Sequence, residues 1–121
     1  MFQGSKEALE IAVKHARRAL EIDPGFALAW SSLADAQFMR ASRGMAAPAE
    51  AGAEALAAAR RALEIDPTLG EAHASLGLIA GLTGDPTGAI LSLTRAIGLN
   101  RGMPLAFSML GRCYYALERH A

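Results

Sequence analysis

Nine residues, ARRALEIDP, occur twice in this chain, at 16–24 and at 59–67, a spacing of 43. A weaker third copy, TRAIGLNR, spans 94–101 and begins 34 residues after the RRALEIDP that starts at Arg60. Chance does not produce a match of that length. Self-similarity at a period of about 20–50 residues marks a repeat architecture, in which each unit buries its apolar face only against its neighbours. A length of 121 residues would by itself suggest one ordinary domain. The repeat makes it a stack of small units instead.

The stretches around each copy read as helices. Ala8, Ile11, Ala12, Ala16, Ala19 and Leu20 recur at helical spacing and predict one buried face, with Glu10, Lys14, Arg17, Arg18 and Glu21 towards solvent. Pro24 and Pro67 end each helix, because proline lacks an N–H and restricts the residue before it. Ala72, Leu76, Ile79 and Ala80 carry the same period further on. In Gly84-Asp85-Pro86, Asp85 is placed to cap a helix that Pro86 opens, and Pro48 and Pro104 open helices in the same way. The spacing predicts six helices, at about 5–21, 25–42, 48–64, 70–83, 86–98 and 104–119. The hydrophobic share is 52%, carried by alanine and leucine rather than by valine and threonine. With no sustained period-2 alternation, no strands are expected and the class is all-α.

Paired helices on a 34-residue period, with small residues at the crossings and proline at the unit end, resemble the tetratricopeptide repeat family. Trp30, Leu33 and Ala34 match its W-x2-L-G/A start, and Ala55, Ala62 and Pro67 its later alanine, alanine and proline. In the next unit His73, Leu76 and Gly77 fill the first set, Ala89 and Ala96 the second, and Arg101 replaces the final proline. Phe107, Leu110, Gly111 and Tyr114 begin a further unit, while Ala12, Ala19 and Pro24 close one whose first helix is missing. The resemblance covers nearly everything after residue 5. It implies an α-solenoid: a right-handed superhelical array of antiparallel helix pairs, with Trp30, Phe107 and the leucines filling the space between pairs. On that reading residues 6–24 are a second helix, 27–67 and 70–101 are full repeats, and 104–121 is the first helix of another.

The 43-residue spacing exceeds the family period by nine. The excess lies between Phe38 and Ala55, where Gly44 and Pro48 suggest a loop and the alanines suggest extended flanking helices. An insert there, followed by EAHASLG, resembles a bacterial subset whose repeats are attached to nucleotide cyclases, winged-helix regulators or Ser/Thr kinases. No catalytic or DNA-binding residue carries over from that likeness.

The chemistry of other functions is missing from the sequence. Twelve basic and twelve acidic residues give no cationic surplus, which argues against a nucleic-acid partner. No G-x-S-x-G, G-x-x-x-x-G-K-[ST], H-E-x-x-H or paired C-x-x-C is present, so no enzyme activity, metal or cofactor is expected. His15, His73 and His120 lie far apart, and His73, where the family often has tryptophan, reads as a packing or hydrogen-bonding residue. Cys113 is the single cysteine and sits in an apolar helix, so it reads as an inert buried thiol. No run approaches a membrane span, and Met1–Ser5 resembles a tag remnant rather than a signal peptide. A cytoplasmic location is therefore expected.

In the family the first helix of every pair lines a concave face that binds extended or helical peptides. The resemblance places Leu28, Ser31, Asp35, Phe38 and Met39 there from one unit, Glu71, Ala74, Leu78 and Leu82 from the next, and Arg112 and Tyr115 from the last. Apolar anchors suit an amphipathic helix or apolar peptide. Lysine occurs only at 6 and 14, and Asn100 is the sole asparagine, so the lysine–asparagine clamp for C-terminal carboxylates is not expected. The expected function is a non-catalytic protein-interaction module of a larger bacterial protein. The competing reading comes from the repeat phase: half-repeats at both ends, the last rich in Leu105, Phe107, Tyr114 and Leu117, could join copies into a homo-oligomer.

Overall fold

A computed structural model describes residues 3–120, and side chains from 6 to 119. Six helices follow one another: α1 (Gln3–Ile22), α2 (Ala27–Ser42), α3 (Pro48–Ile65), α4 (Gly70–Leu82), α5 (Pro86–Leu99) and α6 (Pro104–His120). Among the described residues there is no strand. Of the residues read as a tag remnant, Met1 and Phe2 lie outside the described residues, and Gln3–Ser5 continue α1.

The unit ends share one turn chemistry. Asp23 Oδ1 accepts from Gly25 N at 3.1 Å, Asp66 Oδ1 from Thr68 N at 3.0 Å, and Asn100 Oδ1 from Gly102 N at 3.0 Å. Each is a side chain bonding the backbone two residues on, the habit that makes Asp and Asn turn formers. Asn100 thus replaces the aspartate of the IDP motif without loss of the turn. The proline carbonyl has a use as well. Trp30 Nε1 donates to Pro24 O at 2.9 Å, and six residues beyond the next proline His73 Nε2 meets Pro67 O at the same distance. His73 therefore takes the tautomer with Nε2 protonated. In the third unit Arg101 and Phe107 occupy the corresponding positions, and the phenyl ring has no N–H to offer.

Inside each unit the helices turn sharply at a left-handed glycine, Gly44 (φ 71°) or Gly84 (φ 80°), where a Cβ would be strained. Asp85 Oδ1 then accepts from Gly88 N at 2.9 Å and caps α5, with Pro86 as its first residue. The nine-residue excess is divided between a longer connection and longer flanking helices, most of it helix. It lengthens α2 to 16 residues against 13 in α4, and α3 to 18 against 14 in α5. Only two further residues enter the connection, 43–47 against 83–85.

The core is made of close crossings. Every apolar residue at zero exposure is an alanine except Leu93. Leu33, Phe38, Leu78 and Ile79 form the larger cluster with Val13 of α1 and the alanines of α3; Leu93, Ala106 and Cys113 anchor a second between α5 and α6.

Two expectations need correction. The buried stripe of α1 is Val13 and Ala16, with Leu20 half-buried, whereas Ala8, Ile11 and Ala12 face outward. Among the described residues no helix precedes α1 to cover that side. Phe107 was expected to fill space between pairs but is 50% exposed, and Tyr114 is 54% exposed, because no described element packs on the outer side of α6.

Candidate peptide-binding groove

The first helices of the three units, α2, α4 and α6, pack side by side. They run parallel: Ser31 meets Ser75, and further along both helices Phe38 and Leu78 share one core cluster. Between them lie two adjoining cavities. The smaller, about 190 Å³, is bounded by Asp35, Glu71, Ala74 and Leu78, with Met103–Ala106 at the start of α6. The larger, about 620 Å³, is bounded by Phe38, Met39, Leu78, Leu82, Met109 and Arg112, among others. Leu78 and Leu105 line both, so the two form one trough.

The sequence-predicted residues divide accordingly. Asp35, Phe38, Met39, Glu71, Ala74, Leu78, Leu82 and Arg112 line the trough. Leu28, Ser31 and Tyr115 do not. Ser31 is 1% exposed at the α2–α4 crossing, Leu28 is exposed outside both cavities, and Tyr115 stands in solvent with the Arg119 guanidinium 5.9 Å from its ring centre. Phe38 and Leu78 form the floor rather than projecting anchors: at 9% and 5% exposure they belong to the core. Leu82, 43% exposed, and Leu105, 58% exposed, are apolar side chains that the trough leaves to solvent. Met109 in the trough, and Ser75 as the buried hydrogen-bond partner of Asp35, were not foreseen, because neither falls on a motif position and only the crossing of the helices brings them together.

At the polar end a hydroxyl relay crosses the helices. Ser75 Oγ donates to Asp35 Oδ1 at 2.5 Å and lies 3.0 Å from Glu71 O, but it has one proton to give. The charged carboxylate is the stronger acceptor, which leaves Ser31 Oγ to donate to Ser75 Oγ at 3.2 Å. Burial among the helices raises the Asp35 pKa to about 6; the Ser75 hydrogen bond works against this and the negative charge of Glu71 adds to it. Part of the side chain still meets water, yet desolvation prevails.

A second polar cluster ties α1 to α3 on another side of α2. Arg17 Nη2 pairs with Glu54 Oε1 at 2.7 Å, and Arg40 Nη1 donates to the nearly buried Gln37 Oε1 at 2.8 Å. Burial alone would raise the Glu54 pKa, but hydrogen bonds from Arg17 and Gln37 and the charges of Arg17 and Arg40 outweigh it and lower it. Arg40 Nε is buried without a partner, and nothing in the described residues accounts for it. Among the described residues no three His, Cys, Asp or Glu side chains converge as metal ligands, and no helix is long and apolar enough to cross a membrane.

No protein-family model matches the chain, and no curated protein matches it. Among solved structures it is similar to a thermophilic TPR protein of Thermus thermophilus, with a TM-score of 0.81 and 20% identity. The match covers 97% of this chain and 61% of that one, so the chain spans about three fifths of its neighbour's length. Likeness at that identity speaks for the fold. Six helices without a strand, paired and stacked in this way, are a tetratricopeptide-like α-solenoid.

Proposed function

We propose that the chain is a non-catalytic protein-interaction module that takes a peptide or helix into the trough of α2, α4 and α6. The observation that carries this reading is the trough itself: a continuous, open, mostly apolar channel across three helices, with Leu82 exposed at its wall. Concave sites lined by apolar side chains with a few placed polar groups are where ligands lose most water. Selecting peptides from a random display library and measuring their binding by fluorescence anisotropy tests it. Leu82→Lys should weaken the selected peptides by tenfold or more with an unchanged far-UV spectrum. Undiminished binding to that variant would place the ligand elsewhere. Phe38 and Leu78 are unsuited to such a test, since charging either would damage the core.

A second reading is self-association. It is favoured by the outer side of α6, where Phe107, Tyr114 and Leu117 are exposed, and by the uncovered Ile11 of α1. Pairing α6 of one copy with α1 of the next would complete a repeat between chains. Light scattering over a concentration series separates the readings. Growth of the mass with concentration supports self-association, and a constant monomer mass removes it.

A further inference from the structure

The trough has a chemical direction. On α4, Glu71 is followed by Ala74, Leu78 and Leu82 on one face; on α2, Asp35 is followed a turn later by Phe38 and Met39. Because the two helices run parallel, both carboxylates fall at one end and the apolar wall at the other. The small cavity at the acidic end is lined by no lysine or arginine, and the remaining wall, Met103–Ala106, carries no charge. Asp35 and Glu71 therefore face each other uncompensated, and the charge of Glu71 makes Asp35 harder to ionise. Arg112 lies by the larger cavity instead.

We propose that the trough seats an amphipathic segment of another protein, with a lysine or arginine side chain between Asp35 and Glu71 and an apolar side chain against Leu82 and Met109. This rests on the peptide-binding reading. A cation at the acidic end removes a repulsion that the free protein carries, whereas an acidic side chain adds a third negative charge. Eleven residues of α4 separate Glu71 from Leu82, which is about 16 Å along the helix. A helical partner meets that distance with a cation and an apolar residue eleven apart, and an extended one with a separation of about five.

Labelled model peptides with leucine anchors and lysine, glutamine or glutamate at the paired position test the assignment by fluorescence anisotropy. The lysine peptide should bind about three- to tenfold tighter than the glutamine peptide, and the glutamate peptide weakest, with the differences shrinking as salt is added. In the Asp35→Asn/Glu71→Gln double variant the three should bind alike, at the affinity of the glutamine peptide for the unaltered protein. Equal affinities for the unaltered protein, or an order that survives in the double variant, overturn the proposal. If Leu82→Lys still abolishes binding in that case, the peptide trough itself stands. Binding indifferent to Leu82→Lys, or no binding by any peptide, removes both. Concentration-dependent association that Leu82→Lys abolishes and the peptides do not compete would make a second copy the occupant, and would overturn the proposal too.

Discussion

Replacing Gly77 with alanine should destabilise this fold, although alanine is the better helix former. Repeat alignment pairs Gly77 with Ala34, 43 residues earlier, and Leu93 with Ala59, 34 residues earlier. The first unit therefore has alanine on both helices, while the second has glycine on α4 and a leucine at zero exposure on α5. A Cβ at Gly77 would lie 2.7 Å from Leu93 Cγ, 2.9 Å from its Cδ2 and 3.2 Å from its backbone N. Carbon atoms rest at about 3.5–4.0 Å, so Leu93 would have to move by nearly 1 Å. A new rotamer would not relieve the backbone contact. Overpacking of this kind costs about 1–3 kcal/mol, and helix propensity returns about 0.8–1.0 kcal/mol. The net effect is a loss of up to about 2 kcal/mol. Leu93→Ala alone opens a cavity and should cost about 2–5 kcal/mol. In that background the side-chain overlap is gone and only the 3.2 Å contact with the backbone N remains, so Gly77→Ala should stabilise by up to about 1 kcal/mol. Urea unfolding of the four proteins, followed by far-UV circular dichroism, measures the coupling. The expected result is a reversal of sign, with an interaction energy of about 1–3 kcal/mol. If Gly77→Ala shifts stability equally in both backgrounds, within about 0.5 kcal/mol, the steric account of this crossing is wrong.

Asp35 should make stability pH-dependent in the sense opposite to most carboxylates. Its folded pKa of about 6 lies above the ordinary 3.8, so its favourable contribution is complete below about pH 4 and is lost as pH rises through 6. Water on one side of the group screens the effect. Denaturation midpoints of Asp35→Asn minus those of the unaltered protein, followed from pH 4 to 7 (about the window those two pKa values set), should rise with pH, and a flat difference would refute the assignment. At the other end of α4, Asp85→Ala removes the cap on α5 and should cost about 1 kcal/mol in thermal or urea unfolding. No change would mean that Pro86 alone sets that helix start.

Much of the fold was readable because its signals are local. Pro24, Pro48, Pro67, Pro86 and Pro104 mark helix ends and starts, and Asp85 caps where its position before proline says it should. The inner-face residues were legible where the repeat register places them on first helices, as for Asp35, Met39, Glu71 and Leu82. Exposure was not legible. Phe38 and Leu78 occupy the same helical face as Met39 and Leu82, but the depth of the α2–α4 crossing makes them floor rather than wall. Nor does anything in the pattern around Asp35 announce its raised pKa, which comes first from burial in the folded protein, with Ser75 opposing it and Glu71 adding to it from about forty residues away in sequence.

The two copies of ARRALEIDP separate what the sequence determines from what it cannot. Both are helix followed by the same Asp-Pro turn, because propensity, proline and the side-chain turn act within a few residues. Their burial differs on one side. Ala62 is at zero exposure where its counterpart Ala19 is only half-buried, and Ile65 is half-buried where Ile22 is 74% exposed. Just upstream, Ala55 is sealed and Ala12 faces outward. The cause is that α3 is covered by α2, its partner within the unit, whereas α1 has no such partner before it among the described residues. Helices and turns are written in each segment. Burial, the trough and the chemistry of Asp35 belong to the contacts between segments, which no stretch of sequence makes alone.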